Sequence, residues 1–149
     1  MKITDCHGDI RNPIRLGNAR ITASDLAAHF KQVAADRRVP ISVHTDSIRS
    51  GGLLFGSDYP CVIISHPNPP ASYFDIVVII SDNAISFKYA GYSKANYNHN
   101  RKEDYRNQAK QGSLSGMLKG AFVSDDVMAL QDEEAWRSEV LDIIETIVE

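Results

Sequence analysis

Long apolar runs are what this chain most plainly lacks. The longest, residues 61–64 and 76–80, fall far short of the roughly 20 residues that a membrane-crossing helix needs. The N-terminal stretch Met1-Lys2-Ile3-Thr4-Asp5-Cys6-His7-Gly8-Asp9 has no uninterrupted apolar segment of the kind that drives secretion. The expectation is a soluble, cytoplasmic protein with no membrane partner. Cysteine is scarce as well. Cys6 and Cys61 are too few for a disulfide scaffold, so both read as thiols, with Cys61 a small buried hydrophobe inside an apolar strand.

Signature motifs are missing too. The sequence contains no His-x-x-x-His, no Cys-x-x-Cys and no Gly-x-Gly-x-x-Gly, which leaves metal and dinucleotide binding without a motif. Gly112-Ser113-Leu114-Ser115-Gly116 places leucine where a nucleophile elbow requires serine, and it lacks the Lys-Ser or Lys-Thr ending of a phosphate-binding loop. No cofactor is expected.

What is present is an ordinary globular composition. The 149 residues are 43% apolar and 23% charged, enough for one domain with its own core. Charge is segregated along the chain. Residues 88–119 hold seven Lys and Arg against two acids, whereas residues 120–149 hold nine acids against Arg137 alone. Two such segments attract each other within or between chains, or each faces a different partner.

Periodicity sets the expected elements. Residues 1–20 show no period and carry Gly8, Pro13 and Gly17, which reads as irregular chain or a short edge strand. A helix is expected over 22–38. Thr22 is placed to cap it with Asp25 three residues on, Ile21 and Leu26 form a hydrophobic staple, and Leu26, Phe30, Val33 and Ala34 share a face before Pro40.

From Ile41 the period becomes two, with His44 and Asp46 on one side and Val43 on the other. Strands are expected at 53–55, between glycine turns, and at 60–66, ended by the prolines of the loop at 66–70. Residues 73–80 and 84–89 read as a hairpin across Ser81-Asp82-Asn83. Its first strand is apolar on both faces and needs cover on both.

A helical pattern returns with Leu114, Met117, Leu118, Ala121 and Phe122, and Gly112, Gly116 and Gly120 fall four apart beside it. Ser124-Asp125-Asp126 and Asp132-Glu133-Glu134 each resemble a helix start, so two helices or one kinked helix are expected next. The last carries a stripe of Trp136, Val140, Ile143, Ile144 and Ile147. The fold class that follows is α+β: an N-terminal helix, a mainly antiparallel sheet of four or five strands ordered broadly as a meander, and C-terminal helices, in one domain over 1–149.

Residues 90–111 contain no Leu, Ile, Val, Met or Phe and read as an exposed polar excursion. Here Tyr92, Tyr97 and Tyr105 interleave with Lys94, Arg101, Lys102 and Arg106. Rings and cations in an exposed segment are what recognition surfaces use. The leading expectation is a non-enzymatic binding or adaptor protein that self-associates as a homodimer or takes a protein partner, through these seven residues and the acidic terminal helix. An alternative is single-stranded nucleic acid, since cations neutralise phosphates and tyrosines stack on bases. A further alternative is a small metal-dependent or Cys/His hydrolase, if His7, His44 with Asp46, His66 and Cys61 converge.

Overall fold

A computed structural model of the chain describes residues 1–17, 19–52, 54–68, 73–122 and 127–148. The elements run β1 (Cys6–Arg15), α1 (Ala23–Asp36), β2 (Ser42–Ser50), β3 (Ser57–Ser65), β4 (Asp75–Ile80), β5 (Ala84–Ala90), α2 (Lys94–Lys110), α3 (Leu114–Phe122) and α4 (Val127–Val148), preceded by a single 3-10 turn at Ile3–Asp5. One five-stranded sheet has the order β1-β5-β4-β3-β2, and every neighbouring pair is antiparallel. The expected α+β class and the meander of β2 to β5 are both present.

The helix α1 forms as its local sequence dictates. Thr22 Oγ accepts from Asp25 N at 3.1 Å and donates to the Asp25 carboxylate at 2.7 Å. The helix stops in a Schellman turn, with Val39 N donating to Ala34 O at 2.8 Å and Arg38 N to Ala35 O at 3.1 Å, Arg38 taking the left-handed conformation at φ 57°. The helix buries Leu26, Ala27, Phe30 and Ala34. They meet Val62, Ile64, Ile76, Val78, Ile80, Ile85 and Phe87 of the sheet, and Trp136, Val140, Ile143 and Ile144 of α4, in one apolar cluster. Trp136 Nε1 donates to the Pro40 carbonyl at 2.8 Å, so the polar edge of the ring is satisfied as it is buried.

The second face of the sheet gathers Ile48, Cys61, Ile63, Val77, Ile79 and Ala90, with Ile3, Cys6 and Tyr59 packed against them. The N-terminal segment supplies part of that cover. Arg49 N donates to Met1 O at 3.0 Å and Lys2 bridges to Arg49 at the β2 edge, while Cys6 already pairs with Ala90 of β5. Four residues reach at most about 14 Å, whereas a flat sheet would put those two positions roughly 24 Å apart. The sheet must therefore curl, which brings its two edges toward each other around the second cluster.

Two sequence expectations are corrected, the strand at 53–55 and the second helix start at Asp132, and two are made more definite. Residues 6–15 form a ten-residue edge strand, interrupted by register shifts at Cys6/Gly8, Asp9/Arg11 and Arg11/Ile14. Those irregularities erase the period of two and accommodate Pro13. No strand includes Leu54 or Phe55, which lie exposed in the β2–β3 turn, Leu53 being outside the described residues. Asp132-Glu133-Glu134 starts no helix, because α4 runs unbroken from Val127 to Val148. Within the polar excursion, residues 94–110 are a regular helix. The cap expected at Ser124-Asp125-Asp126 and half of the proline loop, Pro69 and Pro70, lie outside the described residues. Among the described residues no helix is long and apolar enough to cross a membrane.

Candidate recognition surface

Helix α2 forms without an apolar face of its own, from caps at both ends and from packing against α3 and α4. Between Lys94 and Lys110 there is no glycine, proline or β-branched residue to oppose helix formation. Ser93 caps the start, its Oγ accepting from Asn96 N at 3.1 Å. Gly112, at φ 87°, ends it. Gly112 N donates to Ala109 O and Ser113 N to Gln108 O, both at 3.0 Å. Ser113 then begins the next helix by accepting from Gly116 N at 3.1 Å, so α2 and α3 form a hairpin with almost no loop.

The hairpin closes on glycine. A Cβ at Gly116 would lie 2.5 Å from Gln108 Cβ and 3.1 Å from both Ala109 N and Tyr105 O, a spacing that no larger residue fits. With Gly116 set against α2, the described apolar side chains of α3 face water. Leu114 is 69% exposed, and Met117 and Leu118 are also exposed. Val127 and Met128, in the first turn of α4, continue the exposed apolar series.

The seven residues singled out in the sequence sit on α2 or just before it. Tyr97, Arg101 and Tyr105 recur every fourth position and therefore share one face. The Arg101 guanidinium lies 5.4 Å from the Tyr97 ring and 5.7 Å from the Tyr105 ring and donates to Tyr105 Oη at 3.3 Å. That bond draws the Tyr105 phenol below its ordinary pKa and raises that of Arg101. Tyr92 extends the ladder, its ring 5.7 Å from that of Tyr97, and both tyrosines are exposed. Arg106 pairs with Glu103 at 2.6 Å. Lys94 and Lys102 form no ion pair among the described residues.

One anchor holds this arm to the body, and sequence reasoning missed it. Glu133 is only 2% exposed and receives three donors: Phe74 N at 2.9 Å, Ser93 Oγ at 2.6 Å and Asn96 Nδ2 at 3.0 Å. A single carboxylate thus ties α4 to the entrance of β4 and to the capping residue of α2. Within a run of three acids it resembles a solvated helix start. Its one distinguishing signal is its register, three residues before Trp136 on the apolar side of the helix.

Of the residues considered for hydrolysis, Asp46 and Cys61 are cross-strand partners on β2 and β3. His44 and Asp46 are both exposed on β2, and the Asp46 carboxylate accepts from Ser47 N at 2.7 Å. His7 Nε2 contacts Gly91 O at 2.7 Å. His66 packs edge-on to Tyr73 and Trp136, and burial lowers its pKa. Cys61 belongs to the other apolar cluster, where burial, reinforced by the Asp46 charge, pushes its thiol up to about 11. The Cys6 thiol is raised by burial too. Among the described residues no group of three or more His, Cys, Asp or Glu is placed to hold a metal ion.

A cleft of about 910 Å³ opens at the far end of the sheet, bordered by Arg20, Asp58, Tyr59, Asp82 and Asn83. It contains none of the seven residues on the arm. No protein-family model matches the chain, and neither a curated protein nor a solved structure matches it.

Proposed function

We propose that this protein is a binding or adaptor protein that recognises a protein surface through the α2–α3 arm and the first turns of α4. The observation that carries this reading is the outward orientation of α3. Leu114, Met117 and Leu118 stand exposed on α3, which packs on the helix that carries the ladder of tyrosines and arginine, and Val127 and Met128 are exposed at the start of α4. Exposed apolar side chains grouped on one element mark interaction sites, and tyrosine and arginine are the residues that most often dominate binding energy.

Nucleic acid is the second reading, favoured by Lys94 and Lys102, which form no ion pair among the described residues, beside three tyrosines. It fits the arm less well. Arg101 already lies against Tyr97 and Tyr105, which occupies part of the ring surface that bases would need, and a nucleic acid gains little from Leu114, Met117 and Leu118.

The test is a photo-crosslinking side chain at Met117, with the same group at Lys31 on α1 as control, in extract of the source cells. Protein adducts at Met117, absent at Lys31 and lost in Leu118→Glu, are the expected result. If Met117 gives no protein adduct while labelled single strands bind with a steep salt dependence that Arg101→Ala/Lys102→Ala/Arg106→Ala removes, the protein reading is replaced by the nucleic-acid one.

A further inference from the structure

The sheet has two edges, and they are built differently. Strand β1 is interrupted by Pro13 and by three register shifts, features that keep an edge from pairing with another chain. Strand β2, at the opposite edge, has neither: its nine residues contain no proline and pair with β3 in unbroken register. One end of this edge is already taken. Arg49 N donates to Met1 O at 3.0 Å and Met1 N donates to Ser47 O at 3.3 Å, so these groups of Ser47 and Arg49 point away from β3. Backbone groups alternate from side to side along a strand, which aims the N–H and C=O of Val43 and Thr45 the same way. Among the described residues no strand or bridge pairs with them there.

A groove runs beside this open stretch. Two adjoining cavities of about 520 and 450 Å³ are bordered by α1 and β2 and meet at Lys31 and Val43. Their helical wall includes Ala27, Ala28, Ala34 and Ala35, whose short side chains leave room beside the strand. Lys31 forms no ion pair among the described residues. We infer that the β2 edge is a second recognition site, separate from the arm, which takes an extended peptide segment of a partner protein as a sixth strand. Val43 and Thr45 supply the backbone hydrogen bonds. The groove receives every second side chain, apolar ones in the two cavities and an acidic one beside Lys31, so a segment of about five residues spans it. A second copy fits less well. Two β2 strands paired about a two-fold axis would drive Met1 and Lys2 of each copy into the residues that precede β2 in the other.

The test titrates the full chain with a labelled peptide, Val-Thr-Glu-Thr-Val blocked at both ends, and follows the Val43 and Thr45 amides by hydrogen exchange. Saturable binding that protects both amides is expected. Methylating alternate peptide nitrogens separates a paired strand from a sticky one. One set is expected to weaken binding at least about tenfold and the other to change it little, because only one set of N–H groups faces β2. Thr45→Pro removes an N–H that β3 does not use, and Ala28→Trp fills the groove from an exposed position. Both are expected to abolish binding with circular dichroism unchanged, and Ala28→Trp decides if the proline variant fails to fold. No binding at about millimolar peptide, equal losses from both methylated sets, or indifference to Ala28→Trp overturns the inference. Val43 and Thr45 amides already protected in a dimer seen by sedimentation assign the edge to a second copy and overturn it too. Because Lys31 borders the groove, a crosslinker there captures this partner and not the adduct of Met117, on which the reading of the arm rests separately.

Discussion

Replacing Glu133 by alanine removes the fastening between the arm and the body, and its cost can be worked from the geometry. The carboxylate is sealed from water and accepts from Phe74 N, Ser93 Oγ and Asn96 Nδ2 at 2.6 to 3.0 Å. A hydrogen bond to a charged group contributes about 1.5 to 3 kcal/mol, and a buried donor left alone costs about 1 to 3 kcal/mol. Three bonds sum to more than the variant will lose, because water entering the vacated space re-satisfies part of the set and the desolvation of the carboxylate is relieved. A loss of about 3 to 5 kcal/mol is expected, which in a domain of this length lowers the melting temperature by roughly 10 to 15 °C.

Glu133→Gln, which keeps the shape but turns an amide N–H toward one of the donors, is expected to lose about 1 to 2 kcal/mol. Urea denaturation followed by far-ultraviolet circular dichroism measures both variants. Amide exchange locates the damage, which is expected first in residues 93–100, where Ser93 loses the acceptor for its hydroxyl. An alanine variant within about 1 kcal/mol of the wild type, with α2 equally protected, would show that the carboxylate is a dispensable contact.

Two further outcomes follow from packing and titration. Gly116→Leu forces a Cβ to within 2.5 Å of Gln108 Cβ, so α3 must lift from α2. Faster amide exchange across α3, with β3 and β4 still protected, is expected, and unchanged exchange in α3 would refute the close packing. For Cys61, a thiol held at about 11 against an ordinary value of 9.0 is bound to its proton more tightly in the folded state. Its contribution is therefore complete below about pH 9 and is lost as pH rises toward 11, amounting to about 3 kcal/mol over that window. Cys61→Ala should show a shallower fall in stability between those pH values. An identical slope would contradict the burial of the thiol.

How much of this was legible in the chain depended on whether the signal was local. The cap at Thr22, the stripe of Leu26, Phe30 and Ala34 and the hairpin around Ser81-Asp82-Asn83 could be read because each is set by residues within a few positions of one another. The edge strand β1 was obscured because its register shifts displace side chains from strict alternation. Leu54 and Phe55 misled in the opposite sense. They have strand-forming side chains, but β2 and β3 pair directly across them from Ser50 and Ser57 back to Ser42 and Ser65, so they are left in the turn. Helix α2 was legible as exposed but not as helical, since a helix held by its caps, the Gly116 contact with α3 and the Glu133 anchor carries no apolar period to detect.

Periodicity and turn chemistry act over a few residues, so the α+β class, the meander and the polarity of residues 90–111 were already written in the chain. That Gly116 faces α2 while Leu114, Met117 and Leu118 face water, and that Glu133 is the buried acid among three, emerged with the packing of the helices. Both outcomes depend on which side of a helix meets a neighbour distant in the chain, and that is set by the packing of the whole molecule.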